Sequence, residues 1–293
     1  MRLLRSARND KTEERREFLL QTTLDAGALL LQYFGKIGLA HAQSKENISI
    51  NVVSQADLQS QELVVRRIRK SFAGESILAE EGDLAKKKKK LEKGSLWVLD
   101  PLDGTVNFLH GFPYFGVSLA YCHDGVPLIG AVYDPVRGEL FWAEKGKGAY
   151  LESVEFRVLS VELKKKKKLR VTNIKKLADA LMVTGFGYDR HKRADFYLAY
   201  YKAFLTRCHD VRRAGAAALD LAWIAAGRAD GFWEWQLNPW DVAAGQILVE
   251  EAGGRITHLD GSPYSIFHSE ETLASNGNIH DECLKAITTV VRV

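Results

Sequence analysis

The stretch "WVLDPLDGTVNFLHG", residues 97–111, runs from apolar residues into two carboxylates three positions apart, Asp100 and Asp103. Like charges held that close repel unless a cation lies between them. Other acidic residues sit in comparable places: Glu80 and Glu81 follow the apolar "SIL", and Asp241 stands just before the apolar "VAAGQILVEEAGG". A set of carboxylates with no His/Cys cluster at ligand spacing selects a hard divalent cation such as Mg²⁺. Asp100, at a strand end, is placed to bridge two ions. Pro101 stiffens the turn that returns Asp103 beside it, and the Leu102 carbonyl points into the same space as a further oxygen ligand. Gly104 lets the backbone approach an anion closely, and Thr105 offers a hydroxyl to orient a water. Divalent ions, an anion cradle and a held water together describe metal-assisted hydrolysis of a phosphate ester.

The elements that must carry these groups are readable from periodicity. Leu20, Leu24, Ala28 and Leu31 recur at helical spacing, which predicts a long amphipathic helix over Thr12–Phe34. A second helix fits Leu58–Phe72, with Ser54 or Asp57 as its cap. "SILAEE" and "LWVLD" read as strands. "GVSLAYC", "PLIGAVY" and "ELFWAE" read as successive strands of an antiparallel meander joined by short turns. The later chain alternates strand ("ALMVTGF", "ADGFWEW") with helix (Ala194–Leu205, Ala216–Ala226 and Val242–Ala252), the rhythm of layered α/β packing. The expectation is an N-terminal α+β part over 1–160 carrying most metal ligands and a C-terminal α/β part over 161–293 supplying Asp241. Both belong to one compact catalytic unit with its site between the halves.

"AEE", "DPLDGTVNF" and "WDVAAGQILVEEAGG", in that order over roughly residues 15–290, resemble the inositol monophosphatase family. The resemblance implies a five-layered αβαβα sandwich of the inositol monophosphatase/fructose-1,6-bisphosphatase type, a homodimer, and lithium sensitivity. It implies that Glu80, Asp100 and the Leu102 carbonyl hold one Mg²⁺, and that Asp100, Asp103 and Asp241 hold a second. Thr105 with Glu80 would activate the attacking water, and Asp57 in "VVSQAD" would stand near that water and a third, weaker ion. The Gly104 and Thr105 amides would hold the phosphate, with Asp103 beside it. Glu234 in "GFWEW" would bind substrate hydroxyls, and Ala217 would meet the ring through its backbone. The implied reaction is direct attack of a metal-activated water on inositol monophosphate or a similar polyol phosphate. Fructose 1,6-bisphosphate, histidinol phosphate and 3′-phosphoadenosine 5′-phosphate are the alternative substrates. The chain departs from the family pattern in "AEE" for "GEE", in Ala216 for serine or threonine, and in a lengthened segment between Tyr150 and Leu181.

Several of these residues also have plainer readings. Asp241 suits a helix N-cap, and Asp-Pro and Asp-Gly suit turns. Glu81 reads as solvated or as a support behind the metals, and His110 as a surface or packing histidine. Trp233, Trp235 and Trp240 read as core or interface residues as readily as pocket walls. Gly146-Lys147-Gly148 reads as a hairpin turn.

Composition narrows the class further. The formal charge is +4, but the runs Lys86–Lys90 and Lys164–Lys168 supply ten positive charges, and without them the balance is 4 − 10 = −6. Basic character is therefore local, which argues against a broad nucleic-acid-binding face. The runs read as solvated loops. A positive rim steering phosphate substrates, or a patch for an acidic partner or nucleic acid, is the sharper alternative. Three scattered cysteines form neither a zinc spacing nor a disulfide framework. With no membrane-length apolar run and no secretory pattern, the expectation is a cytoplasmic protein without a membrane partner.

Overall fold

A computed structural model describes residues 2–38, 43–44, 52–82, 91–157 and 160–290. The chain opens with helix α1 (Arg2–Tyr33) and a short strand pair, β1 (Gln43–Ser44) and β2 (Val52–Val53). Helix α2 (Gln55–Ser71) follows, capped by Ser54 with Asp57 at its third position in a reciprocal capping box. Strands β3 (Ser76–Ala79) and β4 (Ser95–Asp103) pair in parallel, and the five-residue helix α3 (Thr105–Leu109) follows β4 directly. Strands β5 (Gly116–His123), β6 (Val126–Asp134), β7 (Glu139–Glu144), β8 (Gly148–Arg157) and β9 (Ser160–Lys168) then extend the sheet as the expected antiparallel meander. Residues 146–148 form the β7–β8 turn, as read from the sequence, and the Gly146 and Gly148 amides donate to Glu251.

A second, five-stranded sheet has the order β11-β10-β12-β14-β13, built from β10 (Leu181–Thr184), β11 (Asp210–Arg212), β12 (Gly231–Trp235), β13 (Arg255–Thr257) and β14 (Glu271–Ser275). Its helices are α4 (Ala194–Leu205), α5 (Ala217–Ala225), α6 (Pro239–Glu251) and α7 (His280–Thr288).

Three apolar cores stack these elements. One seals α1 and α2 against one face of the seven-stranded sheet through Leu24, Leu30, Trp97, Leu119 and Tyr133. A second lies on that sheet's other face, where Val98, Val132 and Phe141 meet Leu219, Leu221, Ala244 and Ile247 of α5 and α6, and it runs on to Phe232 of the second sheet. The third packs Tyr200 and Phe204 of α4 and Cys283 of α7 against Trp233. The result is helix, sheet, helix, sheet, helix: the five-layered sandwich. Both faces of the seven-stranded sheet are covered, which explains why its strands read as near-continuous apolar runs.

The lysine runs diverge from the sequence reading where they can be followed. Lys164–Lys168 is not a loop but the end of edge strand β9. There Lys166 Nζ sits 4.0 Å from the Tyr150 ring centre and 4.4 Å from that of Trp142. Ring faces offset the repulsion that a lysine run meets in water, and charged side chains on an edge discourage pairing with another sheet. Lys86–Lys90 lies outside the described residues.

Candidate active site

The bend between Asp100 and Asp103 is a register shift. Asp100 pairs with Ser118 and Asp103 with Gly116, so three steps on β4 oppose two on β5. In a regular strand, residues three apart face opposite ways; one extra residue puts them on the same side. The packing follows that rule. Val98 faces the α5–α6 layer, whereas Leu102, which would share its side in a regular strand, packs with the α1–α2 core instead. Asp103 is thereby turned toward α5, where its Oδ2 accepts the Ala218 amide at 2.8 Å and the Leu219 amide at 3.4 Å. Pro101 occupies the bulge, where no ladder donor is needed, and its carbonyl accepts from Ser60 at 2.9 Å.

Gly104 follows with φ +86°, a left-handed conformation, and an added Cβ would stand 3.0 Å from the Tyr114 carbonyl and 3.2 Å from the Ala216 Cβ. Glycine is required on both counts. Thr105 opens α3, and its hydroxyl lies 3.0 Å from Asp57 Oδ1 and 3.1 Å from the Leu102 carbonyl. Both neighbours only accept, so the single hydroxyl proton is committed and the Thr105 lone pairs are left to face the cavity. Asp57 sits behind Thr105 rather than on the cavity wall. Its Oδ2 takes the Ser54 amide and hydroxyl, and burial raises its pKa to about 6.

Asp241 does not cap α6. Asn238 does, and Asp241 is the third residue of the helix, its carboxylate accepting the Asn238 amide at 2.7 Å. The N-cap reading of Asp241 is thus corrected: it completes the capping box from the third position while also lining the cleft. Glu80, Asp100, Leu102, Asp103, Gly104, Thr105 and Asp241 all line one cleft between the two sheets. Burial raises the Asp100 pKa well above the carboxylate range, and the charges of Glu80, Asp103 and Asp241 raise it further. Burial and Glu80 do the same to Asp241. Burial raises Asp103 to about 7 against the pull of the α5 amides. Among the described residues no group of three or more such side chains is gathered as a finished metal cage. The fold instead holds oxygen donors that repel one another across one space, and Asp100 shares a hydrogen bond with Glu80. Hard oxygen donors short of compensating charge fit a divalent cation such as Mg²⁺.

The facing wall carries the second sheet's contribution. Glu234 is buried beside Gly185, where an added Cβ would stand 2.1 Å from Oε1. Burial lifts its pKa to about 8, with Arg213 opposing. Ala217 also lines the cleft, at the start of α5. Trp235 and Trp240 are walls, whereas Trp233 is core, stacked on Phe204 at 3.9 Å. His110 is exposed at the end of α3 and does not line the cleft. Glu81 is buried rather than solvated, with its backbone bonded to Gln61.

Among the lining residues that sequence reasoning missed are Tyr188, Arg190, Arg213 and Gln236. Tyr188 is 46% exposed, yet burial of its hydroxyl and the charges of Glu80, Asp241, Asp100 and Asp103 raise its pKa. "RRAGAA" could have flagged Arg213, since it adjoins the block in which Ala217 was found.

The profile of the inositol monophosphatase family matches residues 11–292. A fructose-1,6-bisphosphatase/inositol-1-monophosphatase of Thermotoga maritima is 35% identical over 279 residues, 95% of this chain and 97% of its own. A Nus factor SuhB of Pseudomonas aeruginosa is 35% identical over 93% of this chain and 94% of its own. An inositol monophosphatase structure from Anabaena superposes with a TM-score of 0.79 at 37% identity, covering 96% of this chain and 98% of that one.

Proposed function

The chain belongs to the inositol monophosphatase family, a Mg²⁺-dependent family of phosphomonoesterases, and we propose that it hydrolyses inositol monophosphate or a similar small polyol phosphate. The observation that carries this reading is the convergence of Glu80, Asp100, Asp103 and Asp241 on the cleft that also presents Gly104 and Thr105. Glu80, Asp100, Asp103, Asp241 and the Leu102 carbonyl would hold two Mg²⁺, with a third, weaker ion toward Asp57. When bound, the ions neutralise the acids and draw charge from the phosphate.

The remaining work belongs to the chain. The Gly104 and Thr105 amides receive phosphate oxygens, which the αL turn at Gly104 allows. With its proton committed to Asp57 or Leu102, the Thr105 hydroxyl accepts from an incoming water and turns that water's lone pair toward phosphorus. Asp57, lifted to about 6 by burial, is poised to take a proton through Thr105 near neutral pH. Glu234 and the Ala217 backbone meet the hydroxyls of the ring.

The same proposal includes a cytoplasmic homodimer; among the described residues no helix is long and apolar enough to cross a membrane. The test is phosphate release from inositol monophosphates, fructose 1,6-bisphosphate, histidinol phosphate and 3′-phosphoadenosine 5′-phosphate, with Mg²⁺ and then with added Li⁺. Turnover of inositol monophosphate that Li⁺ inhibits supports the reading; no release from any of the four overturns it.

A further inference from the structure

Helix α5 has no side-chain cap of its own. Its N-cap residue is Ala216, where the family pattern has serine or threonine, and it makes no side-chain bond to the amides that follow. The Ala218 and Leu219 amides are taken instead by Asp103 Oδ2, at the end of β4. The carboxylate assigned to the second Mg²⁺ thus also caps a helix, so whatever fixes the start of α5 fixes Asp103.

One buried side-chain bond reaches that helix start. Tyr114 Oη donates to Asp220 Oδ1 at 2.7 Å, and Asp220 follows Leu219 directly in α5. Tyr114 is 4% exposed and Asp220 1%. We infer that Tyr114 and Asp220 are positioning residues for the second metal: their bond holds α5 where its amides aim Asp103 into the cleft. The inference rests on the phosphatase reading above, which puts Mg²⁺ on Asp103, and extends it to two residues outside the ligand set.

Tyr114 can set α5 because it is itself fixed at the phosphate cradle. Its carbonyl accepts Asn107 Nδ2 at 2.7 Å, and a Cβ on Gly104 would stand 3.0 Å from the same carbonyl. Asn107 also donates to the Ala214 carbonyl at 2.9 Å, just ahead of α5. The Tyr114 ring meets Trp223 of α5 edge-on, with centres 5.2 Å apart, and the Arg137 guanidinium stands 5.7 Å from the Tyr114 ring centre. Arg137 is anchored in turn on Asp134 at 2.7 Å and on the Pro113 carbonyl at 3.1 Å. The backbone of one residue therefore abuts the cradle while its hydroxyl reaches the helix that holds Asp103.

The neighbours of Asp220 in α5 belong to an apolar core, where a carboxyl costs stability unless it is bonded. Burial raises its pKa to about 8, with the charge of Asp103 acting in the same direction. What the carboxyl supplies there is direction, since a hydrogen bond fixes an angle and a distance that apolar contact does not. Groups that orient a metal ligand from behind are worth about 10–100-fold in metal affinity.

The experiment follows Mg²⁺ binding as the rise in Tm of the metal-free protein, and Mg²⁺ activation as phosphate release from inositol 1-phosphate. Tyr114→Phe should raise the Mg²⁺ concentration at half-effect about ten-fold in both, with kcat at saturating Mg²⁺ largely kept. Asp220→Ala should do the same, and the double variant should be no worse than either alone, because the two residues make one link. Asp220→Asn, whose side-chain oxygen still accepts from Tyr114, should stay near wild type. Tyr33→Phe, which loses a tyrosine bond to Gln59 between α1 and α2, should leave the half-effect concentration unchanged. A Tyr114→Phe protein that loses Tm without Mg²⁺ yet binds the ion as wild type does would make the bond merely structural and overturn the inference. Additive losses, or an Asp220→Asn protein as weak as Asp220→Ala, would overturn it too. If no ester is hydrolysed but Mg²⁺ still raises Tm, the phosphatase reading fails and the Tm series alone decides. A wild type whose Tm ignores Mg²⁺ overturns the link.

Discussion

The Thr105 hydroxyl and Asp57 Oδ1 stand 3.0 Å apart, joining the first residue of α3 to the third residue of α2 behind the wall of the cleft. The α2 capping box holds Asp57 through Ser54, so a helix cap fixes the proton acceptor of the threonine that would orient the attacking water. If that relay operates, Thr105→Ala and Asp57→Asn should each lower kcat about 10²-fold or more while KM changes little. Thr105→Ser should restore most of the loss, because the hydroxyl is kept. A full-rate Thr105→Ala would remove the relay.

The carboxylates that serve the site destabilise the metal-free fold. Folded Asp103 and Glu234 keep protons up to about pH 7 and 8, and Asp100 is raised as well. The unfolded chain releases those protons near pH 4. Between about pH 4 and 8 the folded state thus binds more protons, and the metal-free protein should lose stability as pH rises across that window. Asp100→Asn should raise Tm in EDTA at pH 7.5 by removing a buried carboxyl whose ionisation burial and the neighbouring acids oppose, and Mg²⁺ should raise Tm of the wild type more than that of the variant. A variant less stable than wild type in EDTA would contradict this balance.

His280 acts with the opposite sign. It is fully buried, with its ring nitrogens 2.9 Å from the Thr257 and Ser275 hydroxyls, and burial lowers its pKa to about 4. The unfolded chain takes up that proton near pH 6.5, so stability from this group is full above 6.5 and declines as pH falls toward 4. The stability gap between wild type and His280→Asn should narrow over that range in urea titrations. A gap that is constant with pH would mean that His280 is not held neutral.

Gly104→Ala should cost about 1–2 kcal/mol for the left-handed backbone alone, and more because the new methyl meets the Tyr114 carbonyl and Ala216. Denaturant titration reads the loss, and phosphate release should fall with it. A variant as stable and active as wild type would show that the turn does not require glycine.

Much of this was legible in the sequence. The apolar runs of β4–β7, the α2 cap at Ser54 and the helices α4 and α6 follow from local periodicity and capping. The carboxylates were found because they end strands or open helices. What periodicity could not supply was the facing of Asp103, because the bulge is set by pairing with Gly116 on the next strand. Arg190 and Arg213 escaped for a similar reason: they lie on separate loops, and only the fold brings both to the cleft. Lys164–Lys168 read as a loop because a lysine run has no strand period; the Trp142 and Tyr150 rings that accommodate Lys166 come from other strands.

The most direct test of the central claim is phosphate release from inositol 1-phosphate by wild type and Asp241→Asn across a Mg²⁺ titration. The account predicts no release by wild type in EDTA, saturable activation by Mg²⁺, and a rate about 10²-fold lower or worse in the variant. Turnover that survives EDTA, or an Asp241→Asn protein as active as wild type at the same Mg²⁺, would contradict it.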